Sequence, residues 1–448
     1  MPQFSNYGRV VTLAAVAQGN VFYARAGDTT WTQATNNSGG TPPLNFTGIV
    51  LSSSLGDNLY FADGVNAVYF DSRNGTVEDW TLTDGDFPAD SANNFPTIIE
   101  TWRGRILQAG ILLAPQQLHA SRIDDPFDHD YNPVNFDAGQ AWALTVGEQG
   151  EVGDIITGLV PYTDDVLIIG GDHTVQMLTG DITDGGKKIL LSDQMGMAFG
   201  RAWCRDPYGS VYFMSSKAGI FRLTPGQASP IPISQPIEQL VTAINTGTNG
   251  VRLGYDDRYQ LIRVFITPLA EPGETTHYVF EIRTGAWWQV KHGHIKHDPL
   301  TCCTFDGNLP DDRVLLIGSW DGYVRYYSPD AEDDDGYEFT SRVVFGPVLT
   351  PTNDEMMLRE LQPVMGAASE EVEYAVHAAD TAEEAAALLD DDDAVPVEGV
   401  LEAGRNTTQP IRAAGKAIYI AFESTKRWAM ESIRMLISSQ GKVRGRGR

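Results

Sequence analysis

The densest set of metal-type ligands in the chain is the run Lys291-His292-Gly293-His294-Ile295-Lys296-His297-Asp298, with Cys302 and Cys303 close behind. On an extended strand His292 and His294 share a face, and His297 could complete a three-nitrogen zinc set with one open position. Lys291 and Lys296 lie in the same run and would repel a cation, so the stretch reads as an exposed strand end that could make pH-dependent contacts. No metal or other cofactor is expected there. Calcium chemistry has two candidate stretches. Asp124, Asp125, Asp128 and Asp130 could supply oxygens but lack the glycine that an EF-hand loop needs. In Asp330 to Asp335 the following Gly336 is in place, but Ala331 and Arg342 stand at the first and last ligand positions. Both read as solvated acidic loops.

Gly180-Asp181-Ile182-Thr183-Asp184-Gly185-Gly186-Lys187 has the texture of a phosphate-binding loop. Its glycine spacing is off by one, no Ser or Thr follows the lysine, and its acids would repel a phosphate. No Gly-x-Ser-x-Gly elbow or His-Glu-x-x-His helix occurs. Gly27-Asp28-Thr29-Thr30-Trp31 and Ser319-Trp320-Asp321-Gly322 have the look of sialidase turns but do not recur, and no carboxylate pair stands out for glycoside chemistry. The chain is not expected to be an enzyme.

These residues are set on short strands. In Asp164–Asp181 the apolar run Val166–Ile169 lacks alternation, which marks a strand buried on both faces, and the chain returns as Thr174–Leu178. Gly170 and Gly171 are expected to supply the positive φ of a tight hairpin. Variants of this unit begin about every 40 to 55 residues, four short strands at a time, the spacing of β-propeller blades. The expected fold is all-β: a propeller over 1–345, of seven blades or of six if the N-terminal strands complete the last one. A small antiparallel β-sandwich-like domain follows over 346–440, with an acidic helix and loop at Asp380–Asp393, and a basic flexible tail over 441–448 carries Lys442, Arg444, Arg446 and Arg448.

Composition sets further bounds. The 448 residues carry 45 glycines, 24 prolines and a formal charge of -27, which fits many turns and argues against wrapping duplex DNA on an outer surface. Three cysteines, two of them adjacent, imply no disulfide framework, in keeping with a reducing cytoplasm. No signal peptide is read at the N-terminus and no apolar run is long enough to span a bilayer, so no membrane insertion is expected.

Several short motifs occur in a consistent order. They are Gly104-Arg105-Ile106-Leu107-Gln108-Ala109-Gly110 with Leu118–Asp128, the hairpin Asp165–Asp181, Gly219–Leu223 with Pro232–Ile237, Tyr255–Arg258 with Thr284–Trp287, and Ser319–Val324. Over about residues 100–330 this order resembles the propeller proteins of the tail hub, nozzle or head-to-tail stabilisation ring of short-tailed bacteriophages. The resemblance implies a structural virion protein of the tail, assembled in the host bacterial cytoplasm. It implies a homo-hexamer below the portal and adaptor ring that extends the DNA channel, retains the genome and passes it during ejection, beside fibres or tailspikes. The chain departs from that family in having no large insertion of the kind that forms fibre-docking fins. In this reading Asp164, Asp165, Asp172, Asp181, Asp124, Asp125 and Asp128 are candidates for a channel or interface rim, where negative charge keeps DNA from sticking. The other reading is a propeller that binds a carbohydrate or a receptor, with glycosidase activity a third.

Overall fold

The computed structural model describes all residues except 1–10, 26–27, 40–42, 46–47, 90–93, 146–153, 218, 307–312, 350–353, 392–393, 395, 408–410 and 440–448. The chain divides into two units, Met1–Lys291 with Ile295–Tyr327, and Ser328–Arg448 with His292–His294.

Seven antiparallel sheets follow one another along the first unit, each with its strands in sequence order. The first holds Thr12–Ala17, Asn20–Arg25 and Thr32–Gln33; the second Leu51–Leu55, Asn58–Ala62, Val68–Asp71 and Thr76–Asp79, with Thr35–Asn36 added in parallel at its outer edge. The third is Ile98–Trp102, Arg105–Ile111, Ala114–Ala120 and Trp142–Thr145, and the fourth Ile156–Thr163, Val166–Gly171, Val175–Thr179 and Lys187–Ser192. Trp203–Arg205, Val211–Met214, Ile220–Leu223 and Ile231–Pro232 form the fifth. The sixth is Asn249–Asp256, Leu261–Pro268, His277–Glu281 and Trp287–Val290, and the seventh Pro299–Phe305, Val314–Ser319 and Val324–Tyr326.

Successive sheets stack face to face. Strands in the middle of such a stack must be apolar on both sides, which is why the alternation expected of a half-solvated strand is missing from them. Leu167 and Ile169 face the cluster shared by the second, third and fourth sheets, while Ile168 between them faces the cluster shared with the fifth. Tyr212 and Met214 likewise pack toward the sixth sheet, and Val211 and Phe213 toward the fourth. Phe61 and Phe70 join the second sheet to Val21 of the first, and Phe265 joins the sixth to Leu315 and Ile317 of the seventh. The first strands of neighbouring sheets also lie side by side, Leu51–Leu55 by Ile98–Trp102 and Asn249–Asp256 by Pro299–Phe305. Radially stacked four-stranded meanders with adjacent first strands are a β-propeller, as the sequence spacing implied.

Among the described residues the N-terminal strands form a sheet of their own and do not complete the seventh. The domain boundary falls at Tyr327/Ser328, not at 345/346. The strand Ser341–Leu349, whose first residues lie inside the expected propeller bounds, pairs with Ala417–Ser424 of the second unit from Ser341↔Ser424 to Leu349↔Ala417. An edge strand looks the same in sequence whichever sheet it joins, because only the long-range pairing differs.

The second unit has one sheet ordered Ser341–Leu349, Ala417–Ser424, Val372–Ala379, Val397–Leu401. In the other, Met356–Met365 pairs with Met430–Ser439 on one side and with Gly404–Arg405 and Ala413–Gly415 on the other. Both sheets feed one cluster, Leu358, Leu361 and Met365 meeting Tyr374, Val376, Ile420 and Phe422, so the unit is a sandwich. The helix-prone stretch forms Ala382–Ala387, capped by Thr381, whose side chain accepts from Glu384 N at 3.1 Å. The basic tail, Lys442 to Arg448, lies outside the described residues.

Candidate functional site

The richest polar arrangement in the first unit joins the third sheet to the fourth, and two of the motifs named above build it. Arg105 opens the second strand of the third sheet and is completely buried. Its Nε and Nη2 donate to Asp181 Oδ2 at 3.2 and 3.1 Å. Nη1 donates to the carbonyls of Ser121, Gly139 and Gln140, and Nη2 to that of Ala138. Five donors of a planar fork thus meet one carboxylate oxygen and four carbonyls, an arrangement a lysine could not satisfy. Burial pulls the guanidinium pKa down, and the Asp181 carboxylate works against that pull. Asp181 also accepts from Thr183 N at 3.1 Å and caps the short Ile182–Asp184 turn.

Two further bonds cross the same seam. Trp102 Nε1 donates to Thr163 O at 2.8 Å, and Arg103 Nη1 donates to Asp164 O at 3.1 Å and to Asp165 Oδ1 at 3.0 Å. The side chain of Asp165 is 76% exposed, so that pair sits on the surface.

This geometry corrects the expected acidic rim. Asp181 is buried in an ion pair with Arg105. Asp172 lies past the C-terminal end of Val166–Gly171, at the opposite end of the blade from Asp164 and Asp165, and it meets Lys217 at 3.4 Å. Asp124 holds a positive φ of 56° and binds back through its N–H to Gly104 O. Asp125 accepts from Phe127 N, and Asp128 accepts from Asp130 N and faces Arg122 at 3.6 Å. Much of the acidic excess is spent this way, on side chains that bind the backbone two residues ahead and so hold turns. Asp63, Asp71, Asp206 and Asp321 do the same toward Val65, Arg73, Tyr208 and Tyr323.

Gly170 and Gly171 are corrected as well. Neither has a positive φ; both are strand residues. A Cβ on Gly170 would strike Met197, and one on Gly171 would strike the Asp154 carboxylate, so close packing is what excludes a side chain. The turn is held by Asp154, whose Oδ2 accepts from His173 N, Thr174 N and Thr174 Oγ1 at 2.8, 2.7 and 2.9 Å. Burial works against the charge of Asp154, and these bonds outweigh it, leaving its pKa below the usual range.

The histidine run is divided: His292 and His294 go with the second unit and His297 with the first. The His294 ring packs on Tyr337 with centroids 4.6 Å apart. His297 is buried with Nε2 3.7 Å from Asp321 Oδ2. His277, which the run does not contain, makes the tighter pair, its Nε2 standing 2.9 Å from Asp298 Oδ1.

A second polar set, absent from the sequence reading, comes from the innermost strands. Arg201, just ahead of the fifth sheet, reaches across with Nη2 to Ser52 O at 2.8 Å and to Glu100 Oε2 at 3.2 Å, in the second and third sheets. Arg252, in the first strand of the sixth sheet, is 5% exposed. The signal was present as a charged residue inside the apolar run Val251–Tyr255, since such residues are rarely buried without a reason. A cavity of about 220 Å³, lined by Ile49, Ala198, Phe199, Gly250, Val251 and Leu269 among others, opens beside this set.

No family model and no curated protein matches the chain. Among solved structures it is similar to PorZ, a surface component of the type-IX secretion system of Porphyromonas gingivalis, with 11% identity, a TM-score of 0.46 and coverage of 96% of this chain and 58% of that one. It is also similar to the extracellular domain of a hybrid two-component system of B. thetaiotaomicron, with 10% identity, a TM-score of 0.44 and coverage of 72% and 39%. A third likeness is to YCF48 bound to D1 peptide, with 12% identity, a TM-score of 0.37 and coverage of 68% and 89%. The chain spans about two fifths of the B. thetaiotaomicron protein's length. None of these likenesses bears on what the chain does, and the propeller assignment rests on sheet order and stacking. No described helix is long and apolar enough to cross a membrane.

Proposed function

We propose that the chain is a structural protein of a short-tailed phage virion, a subunit of the tail nozzle or hub ring below portal and adaptor. The observation that supports this reading is the joint between Arg105 and Asp181. The two motifs that resemble the tail family, around Gly104–Gly110 and Asp165–Asp181, lie far apart in sequence, yet each contributes one partner of the same buried pair. Motif residues that hold blades together suit a rigid, edge-protected block for building rings. Of the candidate acids Asp124, Asp164 and Asp165 are exposed, and they are compatible with a surface past which DNA moves.

The test is electron microscopy of the purified protein mixed with tailless capsids. A sixfold ring seated on the portal vertex is the expected result. Monomers that ignore capsids but bind on a glycan array would replace this reading with a carbohydrate-binding propeller.

A further inference from the structure

The innermost layer of the propeller holds an unbalanced charge. Arg201 Nη2 divides its donation between Glu100 and the carbonyl of Ser52, and its Nε is buried with no partner among the described residues. Arg252 has a single hydrogen-bond partner among the described residues, the carbonyl of Val251 next to it in the chain, 2.7 Å from Nη1, and it faces no carboxylate there. The two arginines meet around Gly200, which precedes Arg201 and whose Cβ position would lie 3.5 Å from Arg252 Nη1; Leu253 N also donates to Arg201 O.

Cys302, the anion-capable group nearest in charge effect to Arg252, does not balance it. Burial pushes its thiol pKa up to about 12, so it is neutral, and its Sγ donates to Leu253 O at 3.6 Å. Arg201, whose side chain is 39% exposed, therefore holds the one carboxylate, and the buried Arg252 faces none among the described residues. An unpaired buried cation of this kind is costly unless a counter-charge joins it. Solvent reaches the pair at the exposed side chain of Arg201.

We propose that Arg252 and Arg201 form an anion site at the propeller axis that takes a small oxyanion, either phosphate or the carboxylate of an organic acid. The fork of Arg252 supplies the paired N–H donors that such oxygens accept. The site is independent of the proposed tail role, since it belongs to a single chain.

The experiment is isothermal titration of the purified full chain with sodium phosphate, and separately with sodium acetate, each against sodium chloride at equal ionic strength. Saturable binding at one site per chain by phosphate, acetate or both is expected, with a matching rise in melting temperature. Which of the two binds tells which source of oxygens the site prefers. Arg252→Gln should weaken binding at least about tenfold, and Arg201→Gln should weaken it too, losses of the size expected for charged hydrogen bonds. No saturable binding by the wild-type chain beyond that of chloride would overturn the proposal, whether or not the variants fold. Undiminished binding by a folded Arg252→Gln chain would overturn it equally.

Discussion

Arg105, in the third sheet, and Asp181, in the turn between the last two strands of the fourth, stand 76 residues apart in the chain, and two donors of the first close on one oxygen of the second at 3.2 and 3.1 Å. With the guanidinium fully buried, removing either partner strands the other charge. Arg105→Met is expected to cost about 3–5 kcal/mol in urea unfolding, and Asp181→Asn a similar amount. The double variant Arg105→Met/Asp181→Leu should cost well under the sum of the two. Strict additivity would mean that the residues do not act as a pair.

Stability should fall in mild acid. Burial holds the pKa of His119 and of His129 down to about 4, with the charge of His119 adding to the effect on His129. Unfolded histidine titrates near 6.5, so between the two values the unfolded chain binds protons that the folded chain refuses. The contribution is therefore complete above about pH 6.5 and is lost as the pH falls toward 4, by roughly 3 kcal/mol per histidine. His129 has Gln108 Oε1 2.9 Å from Nε2 and the rings of Trp80 and Phe87 beside it. Urea midpoints at pH 7 and pH 4.5 should separate widely in the wild type and less in His129→Gln. Equal pH slopes in both chains would count against this assignment.

Close packing, and not turn geometry, makes certain glycines necessary. A Cβ on Gly196 would overlap the Asp172 carbonyl, part of the backbone, which cannot swing aside. Gly196→Ala should destabilise by about 2 kcal/mol or more. Gly273→Ala, whose new methyl would meet only Pro268 Cγ at 3.6 Å, should be close to neutral and serves as the control. Circular dichroism melts of the two variants would show the contrast, and similar melting temperatures would refute it.

The exposed acids carry the proposed DNA-passage role. Asp164→Lys/Asp165→Lys should leave stability within about 1 kcal/mol, because an exposed pair such as Arg103 and Asp165 contributes little. In phage assembled with the variant, genome ejection should slow. Ejection kinetics equal to the wild type would remove these residues from the channel.

The basic tail from Lys442 onward would pair with an acidic neighbour in the ring, since four cations in seven residues are attracted to a chain of net charge -27. Truncation before Lys442 is expected to weaken ring assembly, most at low salt and less as salt screens the attraction, as seen by analytical ultracentrifugation. Intact rings from the truncated chain would show that the tail is dispensable.

The repeat itself was legible in the amino-acid sequence. Short apolar runs cut by Gly, Asn and Asp turns at a regular interval can bury both faces only by stacking sheet on sheet, so Val166–Ile169 announced the propeller by its lack of alternation. Local chemistry was enough for that, because strand and turn preferences act over a few residues. Which acids are spent and which are free was not local. Asp181 and Asp165 look alike in sequence, yet the first is buried under Arg105 and the second faces water, because the stacking of the third sheet on the fourth covers one and not the other. The ownership of Ser341–Leu349, the close approach behind Gly170 and the meeting of Arg201 with Arg252 were decided by the same long-range packing. Each depends on a partner that chain order does not name.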